Sequence, residues 1–296
     1  MNAVQILALC RREGLSLSAC AVKLESEQSG ASPESIRARF SRMLDTMESA
    51  ARDAREAPVR SVSGLTGGDA YLYEKYRRGG SSLLGETVSL AVACALSCSE
   101  VNASMGRIVA CPTAGSCGIV PAAVMAAAAS RGLGREALVD ALLCAGLVGQ
   151  IIGEHACLAG AQGGCQAECG SASAMAAAAV AEMLGGTPEQ SFDAAAMAIK
   201  NVLGLVCDPV GGLVEIPCIK RNAGGVVNAL TAADMALAGI KSHIPFDDTV
   251  EALNRVGKQL PASLRETAAG GLAVTPAGLR LTEKINGPDA RPEKRS

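Results

Sequence analysis

The chain has 296 residues, 49% of them hydrophobic but only 2% aromatic, with no tryptophan and a formal net charge of −2. The apolar mass is therefore Ala, Leu, Val, Ile and Met, which favours close-packed helices over a sheet sandwich, and the length allows one large core or two modest ones. No long basic run is present, so no nucleic acid partner is expected, because neutralising phosphates needs clustered Lys and Arg.

Residues 1–58 read as a helical lead-in. The start, "MNAVQILALCRREG", is a short apolar run without a basic beginning or a small-residue cleavage site, so no secretory signal is expected there. "SPESIRARFSRMLDTMESAARDAREA" opens with Ser32-Pro33 at an N-cap and first turn, with Glu34 near the positive helix end. This arm is charged and amphipathic, suited to packing on the core or on a partner. A Gly-rich break, "SVSGLTGGDAYLYEKYRRGGSSLLGE", follows and holds all three tyrosines.

From Glu86 to about Gly239 one apolar helix succeeds another, interrupted by "CPTAGSCGIVP", "AGAQGGCQAECGSAS" and "CDPVGGLVEIPC". "SAMAAAAVAEMLGG" is hydrophobic nearly all round, which places it at the centre of the fold, and its glycines supply a C-cap. "ETVSLAVACALSC" and "REALVDALLCAGLVGQIIG" carry charges at their starts or stop short of a span, so they read as buried helices and no membrane partner is expected. The expected location is the cytoplasm. Nothing alternates strand with helix, and no G-x-G-x-x-G opens a helix, so a nucleotide fold is not expected. The expected fold is all-α: a compact, mostly helical unit over 59–286 with Gly/Pro-rich loops, and a frayed polar tail at 287–296.

Twelve cysteines is a high count for a compartment that keeps thiols reduced, so a disulfide scaffold is not expected. The C-x-x-C spacing and the ferredoxin run are both absent, and a metal site would have to use cysteines far apart in sequence. Cys94, Cys98 and Cys144 lie within apolar helices and read as structural thiols. Cys10 and Cys20 have no polar cluster around them. Cys165 follows Gly163-Gly164, while Cys207 and Cys218 bracket a loop of Pro209, Gly211, Gly212 and Pro217 that cannot be regularly helical. Each of these three is held where the backbone turns. On the residues alone, an iron–sulfur cluster with one open iron, a zinc site and no metal at all remain open.

"GLTGGDAYLYEKY", "EVNASMGRIVACPTAGSCGIVPA", "GGCQAECGSASAMAAAA", "LGLVCDPVGGLVEIPCIKRNA" and "DMALAGI" closely resemble, in the same order, the alpha chain of bacterial iron–sulfur L-serine dehydratase. The resemblance covers about residues 60–283. It implies that Cys165, Cys207 and Cys218 bind a [4Fe-4S] cluster, and that the turn of Pro112, Thr113, Ala114 and Gly115 contacts the substrate carboxylate. It also implies a helical catalytic domain, here 59–286, that converts L-serine to pyruvate and ammonia without pyridoxal phosphate. A second, beta domain belongs to the resemblance and is a separate subunit in two-chain members. No segment here shows strand alternation, so a separate beta subunit is the expected partner. Two positions depart from the pattern: Cys169 stands where a small apolar residue is usual and reads as packing, and His155 stands where an asparagine is usual.

Removing water from serine requires taking a weakly acidic α proton and expelling hydroxide, a poor leaving group, which an open iron assists as a Lewis acid. The "PTAGS" turn enters a helix, so its backbone N–H groups with the Thr113 and Ser116 hydroxyls suit a carboxylate; taken alone it is an ordinary N-cap. The candidates for the general base are His155, one of two histidines, and Lys75 in "YEKYRR". A hydrogen-bonded structural histidine and a solvated lysine are the plainer readings, and the partner subunit could supply the base. An L-cysteine desulfidase, with a thiolate leaving, and a non-catalytic iron–sulfur carrier are the alternative functions. The coexistence of "PTAGS" with the three cysteines argues against the carrier.

Overall fold

A helix built mainly from alanine has no bulky face, so other helices can close on it from every side. Ser171–Met183 is such a helix, with every residue from Ser171 to Ala181 buried. The structure is a computed structural model and describes residues 1–286; the expected tail at 287–296 lies outside the described residues. Among the described residues there are thirteen α-helices and no β-strand element, as the composition predicts. In chain order they are α1 (Ala3–Glu13), α2 (Leu17–Ser29), α3 (Pro33–Glu56), α4 (Asp69–Arg78), α5 (Gly85–Ala103), α6 (Ile119–Arg131) and α7 (Arg135–His155). Then follow α8 (Gly160–Gly163), α9 (Ser171–Met183), α10 (Pro188–Lys200), α11 (Cys218–Leu237), α12 (Phe246–Gln259) and α13 (Pro276–Asn286). Helices α6, α7, α10 and α11 surround α9.

The lead-in is three capped helices. Ser32 accepts from the Ser35 N–H at 3.2 Å with Pro33 in the first turn, the start expected from the sequence, and Asn2 and Ser16 cap α1 and α2 in the same way. These helices share the main core through Ile6, Leu17, Ile36 and Leu44. Polar groups fasten the join: half-buried Glu182 of α9 accepts from Leu17 and Ser18 N–H at 2.6 and 3.0 Å, and buried Ser97 of α5 bonds Ala50 and Ala54 of α3.

The Gly-rich break becomes a loop leading into α4. Glu100 of α5 accepts from the first two N–H groups of α4 at 2.7 and 3.2 Å, filling donors that any helix start leaves open. Glu74, also buried, gathers Arg55, Arg77 and Arg78. Helix α7 is long and apolar enough to cross a membrane by length and composition, yet Val139, Leu142, Leu143, Cys144, Leu147, Val148, Ile151 and Ile152 are buried in the protein core.

Three features of this packing set up the site. The N-terminus of α9 continues backwards through a π turn, Gln166–Gly170, to Cys165. Helix α11 begins at Cys218. Helix α13 lies over the 207–218 loop, where a Cβ added at Gly211 would meet Ile285 Cδ1 at 3.0 Å.

Candidate active site

Cys165 is fixed from both sides. Gly164, at φ +74°, turns the chain just before it, and a Cβ there would lie 2.5 Å from Leu260 and 2.9 Å from the Leu205 carbonyl, so only glycine fits. Just after it, fully buried Gln166 donates to the Leu253 carbonyl at 3.0 Å and accepts from Gly204 N–H at 2.9 Å, while its own N–H bonds Leu205. The π turn widens the helix by one residue, a device common at functional sites. Here it brings Cys169 to within 3.3 Å of Cys165, sulfur to sulfur, and points Glu168 at the 113–116 turn.

Cys207 sits in an isolated parallel bridge with Arg265: its N–H donates to Leu264 O at 2.9 Å and its carbonyl accepts from Glu266 N–H at 2.8 Å. The loop after it is held by Arg221 of α11, which donates to Asp208 at 2.8 Å and to the Val206 carbonyl at 2.8 Å. Buried Glu215 accepts from Ser63 and Thr66 at 2.9 and 2.7 Å, tying this loop to the Gly-rich break. The loop closes at Pro217, and Cys218 follows as the first residue of α11.

The turn expected to meet a carboxylate is a short 3₁₀ segment, Ala114–Ser116, leading towards α6. As its first residues, Ala114 and Gly115 present N–H groups that the turn itself does not use. Thr113 Oγ1 donates to Glu168 Oε1 at 2.7 Å, and Ser116 is fully buried, bonding inward to Thr113 and to the Cys111 carbonyl. Asn222, also fully buried, couples this turn to the thiols: it donates to the Gly115 and Cys218 carbonyls at 2.8 and 3.0 Å and accepts from Gly118 N–H at 2.9 Å.

The three predicted thiols are buried and close enough for each to feel the charge of another. Burial, followed by the charge of Cys165, pushes the Cys218 thiol up to about 12 and raises Cys207 further. Cys165 moves the other way, because its hydrogen bond with Cys169 and the charge of Arg221 favour the thiolate against burial. Burial raises the Glu168 carboxyl, with the Thr113 hydrogen bond opposing. Between these groups the backbone leaves no room for a side chain: a Cβ on Gly160 would lie 2.5 Å from Glu168 Oε2 and 3.1 Å from Cys207 Sγ. Among the described residues no three His, Cys, Asp or Glu side chains stand close enough to share one ion. Thiols this buried gain most from a positively charged group that takes the place of their protons, and a group larger than a single ion would be needed to reach Cys165, Cys207 and Cys218 together.

Among the described residues, His155 and Lys75 hydrogen-bond to none of these groups. His155 is exposed at the C-terminus of α7, with Nδ1 on the Ile151 carbonyl at 2.9 Å, and Lys75 is exposed on α4 with its ammonium over the Tyr71 ring. Sequence reasoning passed over Glu168, Asp208, Arg221 and Asn222. The available signal was their position, each within four residues of a cysteine at a turn.

Fold and site together define an all-α enzyme whose polar centre lies where helix N-termini meet a thiol-bearing loop. The chain belongs to the family described as serine dehydratase alpha chain, which matches residues 12–273. It is 47% identical over 286 residues to the probable L-serine dehydratase alpha chain of Bacillus subtilis, covering 97% of this chain and 95% of that one. It is 46% identical over 281 residues to the L-serine dehydratase alpha chain of Peptoniphilus asaccharolyticus, covering 95% and 96%. The L-serine dehydratase of Streptomyces coelicolor is 38% identical over 276 residues, which are 91% of this chain but 60% of that longer protein.

Proposed function

We propose that this chain is the catalytic alpha chain of a cytoplasmic L-serine dehydratase, converting L-serine to pyruvate and ammonia with a [4Fe-4S] cluster and a separate beta chain. The observation that carries the reading is the convergence of Cys165, Cys207 and Cys218 on the space that also receives the Thr113–Glu168 pair. The donor set fits the cluster: three buried thiols from three segments, a backbone cradle at Gly160, and a guanidinium from Arg221 to offset negative charge. The names of the relatives, serine dehydratases throughout those compared, favour this reaction over desulfidation or cluster carriage.

When bound, the cluster supplies a Lewis acid for the departing hydroxyl. The rest of the task falls to the chain's own residues. The Ala114 and Gly115 N–H groups receive the substrate carboxylate at the turn. Thr113 orients Glu168, whose half-buried carboxylate has the raised proton affinity suited to accepting the α proton at an Oε atom. His155 and Lys75 hydrogen-bond to neither the turn nor the thiols, so in this reading the proton passes to Glu168. No pyridoxal phosphate takes part. The beta chain closes the site against water, without which proton abstraction is slow.

The test is anaerobic purification of this chain with and without its beta chain, followed by iron–sulfur absorbance and serine-dependent pyruvate release. Cluster absorbance is expected in the alpha chain alone and rapid turnover only with both. Absence of a cluster after anaerobic reconstitution would refute the reading, and equal rates with and without the partner would refute the role given to the beta chain.

A further inference from the structure

The backbone from Gly160 to Glu168 has two sides. Gly160 and Glu168 face Cys207, whereas Gly163 and Ala167 form one wall of a separate cavity of about 250 Å³. Cys157, Gln162, Leu253, Asn254, Lys258 and Arg265 line the rest of it. None of the three thiols discussed above, nor Thr113 or Glu168, reaches this cavity.

Its charge is unbalanced. Two cations line it and no carboxylate does, and among the described residues neither Lys258 nor Arg265 forms an ion pair. Arg265 Nη1 finds only the Gln162 carbonyl, at 3.5 Å, and its Nε is buried without any partner. A buried guanidinium N–H left unsatisfied is costly and uncommon in native proteins. The planar guanidinium fork is matched by carboxylate or phosphate oxygens, and a lysine at the rim adds a second charge. The Gln162 and Asn254 amides supply further donors beside them.

The geometry points to a binding site for a small oxyanion, a free carboxylate or phosphate, held by Arg265 and Lys258 and distinct from the thiol centre. The site is also wired to that centre. The backbone on either side of Arg265 makes the two hydrogen bonds that position Cys207, so an anion drawing on Arg265 draws on the segment that fixes this thiol.

Cys157 provides a local reporter, because it lines the cavity and is the one cysteine of the twelve that is not buried. The experiment titrates the purified chain with sodium acetate and with sodium phosphate, against sodium chloride at equal ionic strength. It follows the melting midpoint and the rate of Cys157 alkylation by iodoacetamide, read by peptide mass spectrometry. A saturable rise in midpoint is expected with at least one oxyanion, together with slowing of Cys157 alkylation over the same concentrations. The more effective anion identifies the headgroup. Lys258→Gln and Arg265→Gln should each weaken the effect by about tenfold, the loss of one charge-assisted contact. If Arg265→Gln does not fold, the exposed Lys258→Gln still decides. The inference is overturned if neither oxyanion exceeds chloride, if saturating anion leaves Cys157 alkylation unchanged, or if Lys258→Gln binds as tightly as the parent.

Discussion

Replacing Asn222 with alanine removes a side chain that hydrogen-bonds the 113–118 turn to the first turn of α11. It takes away an acceptor from buried Gly118 N–H at 2.9 Å and a donor from the buried Cys218 carbonyl at 3.0 Å, as well as the bond to Gly115. Each buried group stranded in this way costs about 1–3 kcal/mol, and no water-sized opening is needed to reach that figure. The Cys218 carbonyl keeps the backbone N–H of residue 222 one helical turn on, so the Gly118 N–H is the buried group left stranded. The variant should lose about 1–3 kcal/mol, a fall in melting midpoint of roughly 3–8 °C for a chain of this size. Asn222→Asp should do no better. It keeps an acceptor for Gly118 but sets a carboxylate oxygen against two carbonyls. The assay is urea and thermal unfolding of the metal-free chain, with an unchanged denaturant slope showing that the folded state is otherwise the same. An Asn222→Ala protein melting within about 1 °C of the parent would refute the coupling of turn and helix described above.

Cys165→Ser, Cys207→Ser and Cys218→Ser should each abolish iron–sulfur absorbance and serine turnover, whereas Cys94→Ser, Cys98→Ser and Cys144→Ser should keep both if they fold; a loaded, active Cys207→Ser enzyme would sink the assignment. Glu168→Gln should lower kcat by about 100-fold or more, the usual weight of a general base, while leaving the cluster absorbance intact; retention of full turnover would return the search to His155, Lys75 and the beta chain. Glu74→Gln should destabilise the fold by about 3 kcal/mol at pH 7, because Arg55 and Arg77 would be left with a neutral partner in a mostly buried place. Burial alone would raise the Glu74 carboxyl, but hydrogen bonds from Arg77, Arg55 and Arg78 outweigh it and hold the group well below the usual range. The stabilisation is therefore complete above the unfolded carboxylate value of about 4.3 and fades as pH falls towards the lower folded value, so parent and variant should converge in acid unfolding and nowhere else.

The helices were legible because their signals are local. Ser32-Pro33 starts α3 as an N-cap should, and the alanine run of α9 is central because nothing in it needs solvent. That Cys165, Cys207 and Cys218 sit where the backbone turns was legible for a similar reason, in the glycines and prolines beside them. Glu168 was not. In "CQAECG" it looks like any surface carboxylate, and only the π turn, which has no reliable sequence signature, rotates it towards Thr113. Arg221 and Asn222 sit one turn into α11, where a polar residue normally reads as a solvated face; their partners lie up to 107 residues away and are invisible to spacing. His155, ten residues before Cys165, caps the end of its own helix through the Ile151 carbonyl, which is the plainer of the two readings its sequence position allowed.

The placement of α13 over the 207–218 loop bears on how the protein is made. The parts of the polar centre come from separate stretches of chain: the 113–116 turn, Cys165 before α9, Cys207 and Cys218 around their loop, and the residues near Arg265 that pair with Cys207. The cover arrives later still, with residues 276–286. Domains emerge from the ribosome N-terminal end first, so the thiol at Cys165 is exposed to the cell before its companions exist and before anything shields it. Any inorganic cargo held by all three thiols could therefore be received only once Cys207, Cys218 and α11 have been synthesised. Until then Cys165 has neither Arg221 nor the two later thiols beside it.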